Sequence, residues 1–183
     1  MSGFDWNALG QFKAAGKFLD GYPAGVRRFY SPRDPGVHAV IVALLASATH
    51  SVVLNMYGFD DDDANALLLA KMKDPDIFVQ MSLDSSQAGG VHEKALLAQW
   101  PSDSIGTSVA VGQSLKHAIS HLKMCIVDGI YVMAGSTNWS LSGEQKQDNE
   151  LTLTNDAVLA AEARTLLDIN HTEMLKQMAA KTK

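Results

Sequence analysis

The sequence predicts an α/β fold, an α-β-α sandwich around a mixed, mostly parallel β-sheet. Three observations carry that expectation. Strand-like and helix-like segments follow one another in the order β-α-β-α-β-α-β-β-β-α. Asp128-Gly129 stands between two apolar strand candidates, where an Asp-Gly pair signals a tight hairpin because both turn positions need positive φ. The 183 residues are 46% hydrophobic and 19% charged, which suits one domain with a sizeable core and excludes a disordered chain.

Each element follows from local pattern. Residues 1–25 read as an N-terminal extension, weakly helical over 4–20, with Gly10 and Gly16 working against the helix. Val26 to Tyr30 is a short strand, closed by the turn-rich Ser31-Pro32 and Asp34-Pro35-Gly36. Val37 to Thr49 is an apolar helix, too short to span a bilayer, and Ser51 to Tyr57 is a β-rich strand. Asp60 to Asp63 form a solvated start for a helix that ends near Lys73; acids at its start and Lys71 and Lys73 at its end complement the macrodipole. They resemble a calcium loop only superficially, lacking its glycine and terminal glutamate. Ile77 to Leu83 reads as a buried strand, residues 90–100 as a helix and residues 105–111 as a weaker strand. Ala118 to Val127 and Ile130 to Ala134 form the hairpin, and Leu151 to Thr154 a last strand. Asn155 or Asp156 caps a long C-terminal helix with Val158, Leu159, Leu166, Leu167, Ile169 and Leu175 at roughly helical spacing. No repeat or linker divides residues 1–183, so a single domain is expected.

Composition also limits function. The lone Cys125 excludes an internal disulfide and any multi-cysteine metal site, and between Met124 and Ile126 it reads as a small buried residue. The N-terminus lacks the basic start and continuous apolar stretch of a signal peptide, so a soluble, cytoplasmic protein is expected. The net charge of −5 argues mildly against a nucleic-acid partner. That acidity is largely local: residues 59–76 carry −4, residues 1–36 carry +2, and residues 112–150 carry −1.

Chemistry concentrates in residues 121–140, HLKMCIVDGIYVMAGSTNWS. On a strand, His121 and Lys123 are two apart and point to one face. The hairpin turn holds Asp128, which fixes the loop, and the return strand brings Gly135, Ser136, Thr137 and Asn138 back to where the hairpin began. An imidazole that attacks or shuttles protons thus meets an ammonium that neutralises a phosphate oxygen. Ser136 and Asn138 supply hydrogen bonds to the other oxygens. The set suits a phosphoryl centre stabilised without a metal.

These residues spell H-x-K-x4-D-x6-G-S-x-N, with His121, Lys123, Asp128, Gly135, Ser136 and Asn138 at its fixed positions. The segment resembles the signature of the phospholipase D superfamily. The likeness extends more loosely over residues 26–175, through Arg28-Phe29-Tyr30-Ser31-Pro32, SVVLNMYGF and IFVQMSLD, in the order of the small bacterial nuclease members. It implies a phospholipase D-like fold and a two-step, metal-free reaction. One histidine forms a phosphohistidine; a second protonates the leaving oxygen and then activates water. It also implies that Glu150, in Gln147-Asp148-Asn149-Glu150, orients the imidazole, with Asn149 as the rival position. The mechanism needs two motif copies at one site, and no second H-x-K-x4-D occurs in the chain. The expected answer is a homodimer with both His121 side chains at a two-fold axis.

Around the motif, Lys116 and His117 are groove candidates, and Trp139 either stacks on a base or packs under the loop. His117 and His121 have metal-pair spacing only on a helix, with no glutamate between them, so neither metal nor cofactor is expected. The leading expectation is a metal-independent phosphodiesterase, a non-specific endonuclease on DNA or RNA. The alternatives are phospholipid hydrolysis or phosphatidyl transfer by the same chemistry, and a non-catalytic binding protein that keeps the fold. No amphipathic membrane-binding face is evident, so no stable membrane association is expected.

Overall fold

The computed structural model describes residues 4–181. A 3₁₀ turn at Asn7–Phe12 precedes β1 (Val26–Ser31), α1 (Val37–Ser47), β2 (Ser51–Met56), α2 (Asp62–Met72) and β3 (Phe78–Asp84). Next come α3 (Val91–Leu97), β4 (Val109–Gly112), β5 (Lys123–Val127), β6 (Tyr131–Gly135), α4 (Leu141–Gln145), β7 (Asn149–Asn155) and α5 (Ala157–Lys181). All seven strands join one sheet in the order β1-β7-β6-β5-β2-β3-β4.

The sheet is mixed, as the sequence predicts, but its balance is the reverse of the expected one. Only β2–β3 and β3–β4 are parallel; β1–β7, β7–β6, β6–β5 and β5–β2 are antiparallel. The cause is the hairpin. With β7 returning beside it, β5–β6–β7 enters as a meander between β1 and β2 and leaves only one parallel run.

Strand alternation sorts the two faces. Val52, Leu54 and Met56 of β2, with Cys125 and Val127 of β5, face the larger core beneath α1 and α2. Val53, Ile126 and Val132 point the other way, onto Ala160 and Leu167 of α5. This is the sandwich, with α5 alone covering its second face. The apolar residues expected to seat α5 mostly face outward: Val158 is 78% exposed and Ile169 53%, with Leu159 and Leu166 also exposed. Ala160, Leu167, His171 and Met174 are the buried stripe. Asp156 caps the helix, accepting the N–H groups of Val158 and Leu159 at 2.8 and 3.1 Å.

Asp128 and Gly129 have φ of 53° and 65°, the tight turn that an Asp-Gly pair provides. The Asp128 carboxylate accepts the N–H groups of Thr49, His50 and Ser51 and the Thr49 hydroxyl, at 2.8 to 3.1 Å. Burial works to raise this carboxyl, but the three N–H groups outweigh it and hold it below its ordinary range. The turn thereby ties the hairpin to the start of β2.

Four further boundaries differ. The N-terminal segment holds a single 3₁₀ turn rather than a helix, and Gly16 sits at φ 69° where a helix would have to pass. The β4 strand starts at Val109, beyond Gly106 at φ 88°. The β5 strand starts at Lys123, not Ala118. The Ser120 N–H is drawn to the Asp84 carboxylate at 2.6 Å and its hydroxyl to Asn55 at 3.2 Å, which pulls residues 118–122 off the ladder. Helix α4 is too short to show periodicity; its sequence mark is the Ser140 cap, which accepts the Gly143 N–H at 3.0 Å. Among the described residues no helix is long and apolar enough to cross a membrane.

Candidate active site

The ladder register collects the motif at one edge of the sheet. Met56 lies opposite Lys123, Met124 opposite Ala134, Gly135 opposite Leu151, and Glu150 opposite Tyr30. The end of β2, the start of β5, the end of β6 and the start of β7 therefore lie side by side.

His121 sits just ahead of β5 with an exposed imidazole. Its ring meets the Tyr57 ring edge-on, with centroids 4.6 Å apart. Lys123 is only 5% exposed; its ammonium lies 4.5 Å from the centre of the same Tyr57 ring and donates to the His121 carbonyl at 3.0 Å. His121 and Lys123 are thus not one face of a strand, as their spacing suggests; Tyr57 and the His121 carbonyl hold them together instead. Burial pushes the Lys123 ammonium down to about 8, opposed by the charge of Asp84.

The return strand contributes by close approach. A Cβ on Gly135 would run into the Glu150 carbonyl oxygen, so only glycine lets the end of β6 lie this close to β7. The same carbonyl accepts the Ser136 N–H at 3.0 Å and the Thr137 hydroxyl at 2.9 Å. The Ser136 hydroxyl donates to Asn149 Oδ1 at 2.9 Å and accepts the Glu150 N–H at 3.0 Å. Asn138 Oδ1 accepts the Gly58 N–H at 3.2 Å, which anchors the loop after β6 to the loop after β2. With its oxygen so engaged, the Asn138 amide keeps its NH₂ as the donor group.

Neither expected orienting residue touches the imidazole in this chain. The Glu150 carboxylate accepts the Thr152 hydroxyl at 2.6 Å and lies 3.2 Å from Arg28 Nε, while Asn149 bonds Ser136 and the Gly143 carbonyl. Among the described residues the His121 imidazole has no hydrogen-bond partner. Ser136, Asn149, Glu150, Tyr30 and Arg33 line a cleft of about 510 Å³. Lys116 and His117 lie on the exposed loop before β5, with His117 in a left-handed turn at φ 55°. Trp139 is 1% exposed and packs against Phe59, so of its two readings the packing one holds and it lines no groove.

Sequence reasoning did not single out Tyr57 or Asp84. Tyr57 ends an apolar strand with nothing to mark it, and Asp84 acts only because β3 runs beside β2. A further H-x-K does occur at His92-Glu93-Lys94, but it opens α3, where a spacing of two puts side chains on different sides, and Gln99 stands at the aspartate position.

Residues 41–169 match the family model described as cardiolipin synthase, PLD-like domain. The chain belongs to the PLD-like family. The matched stretch of this PLD-like protein holds His121, Lys123, Ser136, Asn138 and Glu150. A mitochondrial cardiolipin hydrolase of Xenopus laevis is 26% identical over 133 residues, 70% of this chain and 58% of the frog protein. The PLD-like protein thus spans less than two thirds of that relative. The crystal structure of the phospholipase D family member Nuc from Salmonella typhimurium superposes with a TM-score of 0.63 at 22% identity, over 79% of this chain and 92% of Nuc. NucT from Helicobacter pylori gives 0.64 at 21% identity, over 82% and 95%. At these identities the two structures share the fold.

Proposed function

We propose that the protein is a metal-independent phosphodiesterase that cleaves nucleic acid as a homodimer. One observation carries the reading: an exposed imidazole, His121, stands beside a buried ammonium, Lys123, at a sheet edge that also presents Ser136 and Asn138. In the first step His121 attacks phosphorus, a P–N bond forms and the P–O bond to the leaving group breaks. Lys123, Ser136 and Asn138 stabilise the charge on the remaining oxygens. The partner subunit's His121 delivers its proton to the leaving oxygen. In the second step that imidazole takes a proton from water, the water oxygen attacks phosphorus and the P–N bond breaks.

Two features support pairing. One chain supplies one motif, and its imidazole has no orienting partner among the described residues. On the loop that leads to it Leu115 and Ile119 are 57% and 51% exposed, and Leu115 shares a cleft with the exposed Ile169 of α5. The nucleic-acid reading rests on the resemblance to the small single-motif nucleases and on size, since the chain covers nearly all of Nuc and NucT. The lipid reading draws on the description of the family model and on the frog relative.

The test offers plasmid, single-stranded DNA, RNA, and vesicles of phosphatidylcholine or cardiolipin, each in excess EDTA. Expected is nucleic-acid cleavage that survives chelation and vanishes in His121→Ala. Cleavage that requires a divalent cation while the chelated protein keeps its fold sinks the mechanism, and lipid turnover without nucleic-acid cleavage replaces the substrate.

Lys123 adds a pH dependence. Its lowered pKa means that the free protein loses this charge as pH rises through about 8, so kcat/KM should fall on the alkaline side from there. A kcat/KM profile flat to about pH 10 would show that the charge is not used.

A further inference from the structure

The first turn of α1, the start of α2 and the short helix α4 meet at three side chains that the reaction does not use: His38, Asp61 and Glu144. We propose that they bind a divalent cation of the zinc type, which locks α4 in place. His38 Nδ1 lies 2.6 Å from Glu144 Oε2 and 3.2 Å from Asp61 Oδ2, and one ligand atom from each residue falls within 4.8 Å of the others. Glu144 is 3% exposed and Asp61 6%. The solvated helix start expected from the sequence is therefore wrong for Asp61, which is folded under α4. Its Oδ1 caps α2 by accepting the Ala64 N–H at 3.0 Å.

Two atoms then stand out. Asp61 Oδ2 and Glu144 Oε1 are buried with no hydrogen-bond partner among the described residues. A buried carboxylate oxygen left unpaired is costly, and here two carboxylates converge on one imidazole nitrogen. A proton on that nitrogen serves one oxygen and leaves the others unserved. A cation at this point meets one oxygen of each carboxylate together with the nitrogen. The opposite nitrogen completes the pattern: His38 Nε2 lies 3.1 Å from Asp63 Oδ2. A ring N–H given to that carboxylate leaves the Nδ1 lone pair for the ion, the arrangement in which metal-bound histidines are usually oriented. Three carboxylates, those of Asp61, Asp63 and Glu144, thus stand within 3.2 Å of the two nitrogens of one imidazole.

The donor set, one imidazole and two carboxylates, suits zinc at about 2.0 to 2.2 Å per ligand. Ligand atoms around such an ion stand about 3.3 Å apart, so Asp61 is already spaced for it and Glu144 needs an opening of well under 1 Å. The role is positional. Helix α4 follows Asn138 directly, and its Gly143 carbonyl accepts Ser31 Oγ at 2.9 Å and Asn149 Nδ2 at 3.0 Å, with Asn149 in turn holding Ser136. An ion at Glu144 therefore fixes the helix that holds the phosphate-binding loop from behind.

The full chain, stripped with chelator and desalted, is titrated with zinc chloride alone, by calorimetry and by thermal melting. Expected are one ion per chain and a Tm higher by about 5 °C. Glu144→Gln and His38→Gln should each weaken binding by at least about 100-fold, and Asp63→Asn by about 10-fold. His50→Ala, an exposed histidine elsewhere, should bind as the wild type does. Absence of stoichiometric binding to the wild type, or binding unchanged in both Glu144→Gln and His38→Gln, overturns the site. So does a chelated Glu144→Gln that melts above the zinc-loaded wild type, which would mark a shared proton as the occupant. None of these readouts uses cleavage, so they stand apart from the phosphodiesterase reading.

Discussion

Exchange of His121 for alanine is expected to lower phosphodiester cleavage by at least about 10³-fold while leaving stability within about 0.5 kcal/mol of the wild type. The imidazole is exposed, has no hydrogen-bond partner among the described residues and meets the Tyr57 ring edge-on, so little of the fold depends on it. In the proposed reaction the chemistry depends on it twice. If each site takes one His121 as nucleophile and the partner subunit's His121 as acid, a dimer with one altered chain has no complete site. Equal amounts of wild-type and His121→Ala chains, unfolded and refolded together, leave about one dimer in four with two imidazoles. The wild-type protein in that mixture should then show about half its usual activity. Undiminished activity after proven exchange of subunits would show that each chain works alone. His121→Asn, closer in size and polarity, should give the same result and separates loss of chemistry from loss of shape.

The second large effect belongs to Gly135→Ala. The added methyl meets the Glu150 carbonyl oxygen, a backbone atom that cannot swing aside like a side-chain tip. The carbonyl also holds Ser136 and Thr137, so relieving the clash separates β6 from β7 where Ser136 and Asn138 leave the sheet. A loss of about 3 kcal/mol in urea unfolding is expected, with activity falling further than stability explains. Gly129→Ala is the control: it also has positive φ, but a Cβ there meets nothing within 4 Å. If Gly135→Ala unfolds with the wild type, the close approach is not what this glycine provides.

Much of the fold was legible because local rules and tertiary packing agree. The Asp128-Gly129 turn and the β-rich run of β2 carry their own signals and appear where the pattern puts them, and of the two cap candidates Asn155 and Asp156 the structure uses Asp156. Legibility failed where a distant group intervened. Residues 118–122 have strand-like composition, yet Asp84 and Asn55 capture Ser120 and turn the segment into a loop. Val158 and Ile169 have helical spacing, but spacing does not say which stripe of α5 the sheet selects. The expected parallel majority does not hold, because the position of β7 is set by pairing across the whole chain, not by its own residues.

For the site the division is similar. The order of residues sets the inventory: one imidazole, one ammonium, a serine and an asparagine at fixed spacing on a hairpin, and one such set per chain. The tertiary structure decided their company. It set Tyr57 against both His121 and Lys123, buried the ammonium within reach of the Asp84 charge, turned Glu150 toward Arg28 and packed Asp61 against His38. Spacing along a chain constrains residues that share one element. Groups on separate elements meet only when a sheet register and a packed core bring them together.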